Sequence, residues 1–218
     1  MVATADLKKI DDAIAFLQTQ GKSIPNIDRL IQKLTKDKKI GHLVNAEFAI
    51  RFHKDGTYKI TDIEVETGTH DIDIQLDGMI NIQTWHGQSE SGHIMESLFE
   101  PNGIKQNLAE GNITPLGGVK TDWDKNEGKL FKKLAQIPDD SNLGILLLHE
   151  RFVGFPILPE WKEKIPSNKC IIILSNTTDG AHTYGVAVVY CSTNFTKMKE
   201  VEKIISAAGY SFKGANPL

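Results

Sequence analysis

The chain is poor in several features that would each have named a class. Its only cysteines are Cys170 and Cys191, set in apolar runs with no histidine or second cysteine at metal-ligand spacing. That excludes a disulfide framework and a zinc ribbon, and reads as buried reduced thiols in a reducing compartment. No run of about 18 apolar residues occurs and the first residues carry no signal-like apolar core, so the expectation is a cytoplasmic protein with no membrane partner. Neither sign of charge dominates. A net charge of −3 and a pI near 6.2 leave no global footprint for nucleic acid, so such binding must use a local patch. Also missing are the Gly-x-x-x-x-Gly-Lys-Ser/Thr phosphate loop, Gly-x-Gly-x-x-Gly and His-Glu-x-x-His, which removes the support for nucleoside-triphosphatase, dinucleotide and zinc-protease readings. Ser89, in Gly87-Gln-Ser-Glu-Ser-Gly92, lacks the glycine spacing of a nucleophile elbow and reads as a loop serine. Likewise His149 reads as a structural residue at a strand end, and Gly117-Gly118 as a turn.

What is present centres on residues 70 to 87. Ile72, Ile74 and Leu76 alternate with Asp71, Asp73 and Gln75, and Ile80 and Ile82 alternate with Asn81 and Gln83, around an Asp77-Gly78 turn signal. This is strand periodicity on both arms of a β-hairpin. A two-residue turn would set Ile74 against Asn81 and mix the faces. A three-residue loop, Leu76-Asp77-Gly78, instead pairs Ile74 with Ile80 and Ile72 with Ile82, and sets Asp73 opposite Asn81 and Asp71 opposite Gln83. One face is then aliphatic. The other gathers carboxylates and carboxamides, which reads either as the start of a divalent-metal site, since hard cations take oxygen ligands, or as a solvated polar face.

Around this hairpin the chain predicts one α/β domain over 1–218, with an N-terminal helical segment at 1–39 and a core at 40–218. Leu7, Ile10, Ile14 and Leu17 mark a helix ending at Gly21, and Ile27, Leu30, Ile31 and Leu34 a second one after Pro25. Residues 40–55 fit either a helix (Ile40, Leu43, Ala46, Glu47, Ile50) or a strand (Phe48, Ile50, Phe52), with the helix favoured. A strand follows from Tyr58. Residues 88–126 read as a long functional loop or insertion, and 127–137 as a helix exposing Lys129, Lys132 and Lys133. The apolar runs at 143–148 and 170–174 suggest strands buried on both faces of a mixed sheet, with a covering loop over Phe155 to Trp161 between them. Another strand is expected at 184–190, then a last helix capped by Asn194 and stopped at Gly209.

Glu47 in a helix, a strand from Tyr58, and an Asp73 strand paired to Asn81-Ile82-Gln83 resemble the PD-(D/E)XK nuclease-like superfamily. The resemblance covers about residues 40–87 well and the downstream elements loosely. It implies a restriction-endonuclease-like mixed β-sheet flanked by helices. Glu47 matches the helical glutamate and Asp73 the strand aspartate, while Asn81 stands for the second acid and Gln83 for the lysine. The implied chemistry is phosphodiester hydrolysis with Mg²⁺ or Mn²⁺ held by Glu47 and Asp73, Asp71 helping where Asn81 has lost a charge, and Gln83 orienting the water. Strand alternation points His86 away from this face unless the strand ends at Trp85. Lys120, Lys129, Lys132 and Lys133 are the candidate nucleic-acid contacts. With two of four groups neutral, the expectation is a nuclease-like protein that binds DNA or another nucleic acid with weak or lost activity. The alternative is a non-enzymatic α/β module working through a protein partner or as a homodimer.

Overall fold

The computed structural model describes residues 4–37, 40–66, 71–85, 128, 130–148, 159–179 and 182–215. Chain contacts divide the molecule into one unit of Met1–His86 with Lys133–Leu218 and another of Gly87–Lys132, and almost all of the second, including the loop expected at 88–126, lies outside the described residues. Ser89, Gly117, Gly118, Lys120, Lys129, His86, His149 and the stretch 155–158 lie outside them too.

Three helices open the chain: α1 (Thr4–Thr19), α2 (Ile27–Asp37) and α3 (Ile40–Asp55). Ile10 and Leu17 of α1 and Ile27, Leu30 and Leu34 of α2 are buried as expected, Leu7, Ile14 and Ile31 are half-buried, and Ala13 joins the buried face. The ambiguous stretch at 40–55 is helical. Its pattern was hard to read because α3 is enclosed on several sides, with α1, α2 and the sheet all against it, so Leu43, Val44, Ala46, Phe48, Ala49 and Phe52 are all buried.

Seven strands follow and form one mixed sheet in sequential order: β1 (Ile60–Glu66), β2 (Asp71–Leu76), β3 (Ile80–Trp85), β4 (Leu143–Leu148), β5 (Lys169–Asp179), β6 (His182–Cys191) and β7 (Ser211–Ala215). The β1–β2–β3 meander is antiparallel, β3–β4–β5 run parallel, β6 turns back against β5, and β7 lies parallel to β6. Helix α4 (Met198–Ala207) links the last two strands. The fold is thus mixed α/β. No helix among the described residues is long and apolar enough to cross a membrane.

One core joins α1–α4 to a single sheet face, through Ile63, Ile74, Leu76, Ile80, Ile82, Ile145, Leu147, Ile172 and Val189. At the alternate positions Leu146, Leu148 and Ile171 are buried as well, which is why β4 reads as a continuous apolar run. Ile137 covers part of that second face. Its Cγ2 stands 2.8 Å from where a Cβ on Gly144 would lie, and Lys169 Cγ stands 2.9 Å from the same point, so only glycine fits there without movement.

Three expectations are corrected. The hairpin pairs Ile74 with Ile82, Gln75 with Asn81 and Leu76 with Ile80, so the loop is 77–79 and the ladder is slipped by two residues from the expected register. Asp77 and Gly78 both take positive φ (50° and 74°) and Met79 N–H closes on Leu76 O at 3.1 Å, leaving Met79 as the extra residue. A slip of two preserves the faces, which is why the aliphatic pattern could not detect it. Asp73 therefore does not oppose Asn81, and Asp71 pairs with Glu66 of β1. Second, Asn194 does not cap α4. It lies in a turn closed by Phe195 N–H to Ser192 O at 3.1 Å, and the cap position is Lys197, with no side-chain cap bond. Third, β7 was not anticipated, because five residues with one large apolar side chain at a sheet edge carry little periodicity.

Lys169 is buried, and its ammonium donates to Ile137 O at 2.6 Å and to Asp139 Oδ1 at 2.7 Å. That hydrogen bond holds the exposed Asp139 carboxyl below its usual range. Asp139, the exposed partner, is screened by solvent, so its charge contributes little. The buried bond to Ile137 O and the packing of the stem against Gly144 contribute more. Lys169→Met is expected to destabilise the protein by about 1–3 kcal/mol, Lys169→Ala by more, and Asp139→Asn hardly at all, as read by urea denaturation.

Candidate functional site

Four elements meet where β1, β2 and β3 run beneath α3, and each contributes one polar side chain. Asn45 of α3, Glu64 of β1, Asp73 of β2 and Thr84 of β3 are all buried. Asn45 Nδ2 donates to Asp73 Oδ1 at 2.8 Å and is 3.4 Å from Glu64 Oε1. Thr84 donates twice to Asp73 Oδ2, from its backbone N–H at 2.7 Å and its hydroxyl at 3.0 Å, and the same hydroxyl lies against Asn45 Oδ1. Lys33 of α2 closes the far side, with Nζ 2.5 Å from Glu64 Oε2, while Arg29 donates to the Glu64 carbonyl at 3.2 Å.

Two features set this cluster apart from an ordinary polar core. Glu64 takes φ +53°, a conformation disfavoured for a side chain with a Cβ, and residues held this way gather at functional sites. In Asp73, burial first of all and the nearby Glu64 charge push the carboxyl up to about 6, against the Thr84 bonds and the Lys133 charge, which pull it down. An aspartate so placed changes charge near neutral pH.

Of the residues singled out in the sequence, Asp73 alone sits in this cluster. Glu47 is half-buried on α3, but two residues on from Asn45 it lies about 200° around the helix, and Asn45 makes the helical contact to Asp73 instead. Asn81 is buried in a separate pairing, accepting from Gln75 Nε2 at 3.1 Å and donating to Ser141 Oγ at 2.8 Å. Gln83 is buried, and its Oε1 has no hydrogen-bond partner among the described residues. Asp71 is placed on β2 opposite Glu66. Lys132 is exposed and Lys133 half-buried on the helical segment 130–134.

Sequence reasoning passed over Asn45, Glu64, Thr84 and Lys33. Glu64 between Ile63 and Val65 looks like the outward residue of an alternating strand, yet it is buried, with its backbone at φ +53°. Asn45 had one available signal, a polar residue inside an apolar helix stretch.

The donor set is of the right chemical type for a hard cation, with two carboxylates and neutral oxygens. Its arrangement does not fit one. Both Asp73 oxygens accept hydrogen bonds, Lys33 already neutralises Glu64, and no group of three or more His, Cys, Asp or Glu among the described residues could hold a metal ion. Comparison with family models, curated proteins and solved structures gives no match.

Proposed function

We propose that this chain is a nuclease-like α/β protein that binds nucleic acid and whose phosphodiester hydrolysis is weak or lost. The observation that carries the reading is the buried Asp73 on β2, with a strained Glu64 beside it and a residue of α3 reaching it. The order α3, β1, β2, β3, helical segment, β4 supports it, since that is the arrangement of helix and strands the resemblance implies around its aspartate. Loss of efficient hydrolysis follows from charge. Asn81 and Gln83 bring no negative charge, and the Asp73 oxygens are occupied by donors from Asn45 and Thr84. Binding then rests on local lysines against a chain of net charge −3, with Lys132 and Lys133 as the first candidates.

Fluorescence anisotropy on duplex, single-stranded and branched DNA, at rising salt, tests this directly. The expected result is binding that weakens linearly in log–log salt, with Lys132→Ala plus Lys133→Ala lowering the slope by roughly 1–2. Cleavage with Mg²⁺ or Mn²⁺ is expected to be slow or nil, and calorimetry should find little cation binding in the absence of DNA. If no nucleic acid binds even at low salt, the proposal fails and the protein-interaction module stands in its place.

A further inference from the structure

Cys170 is the second residue of β5 and Cys191 the last of β6, and the antiparallel register sets them directly opposite each other. The same ladder runs on to Asp179 opposite His182, so the two thiols sit at the open mouth of the long β5–β6 hairpin, away from its turn. Cys170 belongs to the core shared with Ile172, Leu174, Ala187 and Val189, and Cys191 packs against that core, so both project to the same face. Directly opposed antiparallel residues have Cα atoms about 4.5–5.5 Å apart, inside the window of about 4.4–6.8 Å that a disulfide bridges. Both are reduced in this structure, one buried and the other half-buried.

We propose that Cys170 and Cys191 form a reversible cross-strand disulfide under a peroxide oxidant, clasping the mouth of the β5–β6 hairpin. The half-buried Cys191 is the entry point. Its thiolate attacks one peroxide oxygen, the O–O bond breaks, and Cys191 becomes a sulfenic acid as the first water leaves. The Cys170 sulfur then attacks the Cys191 sulfur, the S–S bond forms, the S–O bond breaks, and the proton of Cys170 leaves with the second water. Two thiols lose two electrons and one hydrogen peroxide becomes two waters. The order is set by environment, since burial, and then the neighbouring thiol, push the Cys170 thiol up and make it a poor first nucleophile. The clasp acts on β5, which lies between the parallel β4 and the antiparallel β6, so oxidation stiffens the middle of the sheet.

The test treats the native chain with hydrogen peroxide, blocks remaining thiols with iodoacetamide in denaturant, and reads intact mass and non-reducing peptide maps. The expected product is a monomer lighter by two hydrogens, with the 170 and 191 peptides joined, no alkylation at either site, and recovery of both thiols with dithiothreitol. Its melting temperature should lie above that of the reduced protein. In Cys191→Ala, checked for native circular dichroism, Cys170 should stay alkylatable after the same treatment. The proposal is overturned if both thiols of the native chain remain alkylatable, if Cys191 passes to sulfinic acid with Cys170 untouched, or if the linkage joins two chains.

Discussion

Gly185→Ala is expected to destabilise the protein by about 1–3 kcal/mol, and Gly185→Val to leave little folded material, because β6 and the segment entering β7 approach each other at this glycine. A Cβ built there would lie 2.5 Å from Tyr210 Cδ1 and 2.8 Å from Cε1, distances that real carbon atoms do not adopt. The ring has little room to retreat. Tyr210 is buried, Phe48 of α3 packs against it at a ring-centroid separation of 6.4 Å, and the Arg51 guanidinium stands 5.0 Å from its centroid while donating to Ala208 O. Moving the ring would disturb the junction of α3, α4 and β7. Urea denaturation of Gly185→Ala, Tyr210→Ala and the double variant separates this clash from a general intolerance of side chains in β6. The double variant should be less destabilised than the sum of the two singles, since removing the ring makes room for the methyl group. Simple additivity would show that the clash is not the cause.

Lowering the pH from 7 to 4 should stabilise the wild type relative to Asp73→Asn by about 2 kcal/mol, most of the full effect. In the folded chain the Asp73 carboxyl is raised from 3.8 to about 6, so the native state holds its proton more tightly than the unfolded state does. A raised folded-state pKa gives a contribution that is fully present below the unfolded value and disappears as pH climbs through about 6. The shift of roughly two pH units corresponds to about 3 kcal/mol. The asparagine variant cannot titrate there, so the difference between the two unfolding free energies isolates this group from every other carboxylate. Above pH 7 that difference should be flat. Parallel curves over pH 4–7 would mean that Asp73 is already ionised and solvated, and the picture of a buried, charge-strained cluster would fail. Asn45→Ala is expected to be destabilising throughout, because it strips Asp73 Oδ1 of its donor while the group stays buried.

These two sites sit in different relations to the sequence. The first two helices, the β2 and β3 arms and the strand at 143–148 were legible because each rests on local periodicity, apolar positions at helical spacing or at alternation, which the structure then buries. Asp73 was singled out too, as a carboxylate on the polar face of the hairpin, but its burial was not legible there. The hairpin register was not, because a slip of two residues keeps every side chain on its face and changes only which ones meet. Its consequence for the site is large, since Asp73 loses Asn81 as its neighbour and is held by Asn45 and Thr84 instead.

The sequence by itself determined most of the helices and strands, though not α3 or β7, and which of their faces are apolar, since both follow from residues within a few positions of one another. It also determined that any nucleic-acid contact must be local, because net charge is a property of composition. Tertiary structure alone decided that Glu64 turns inward, that Asn45 rather than Glu47 reaches Asp73, that Tyr210 lies over Gly185, and that the two cysteines face each other across β5 and β6. Each of these is a meeting of residues distant in the chain or a backbone bend imposed by its surroundings, and chain-local preferences carry no term for either.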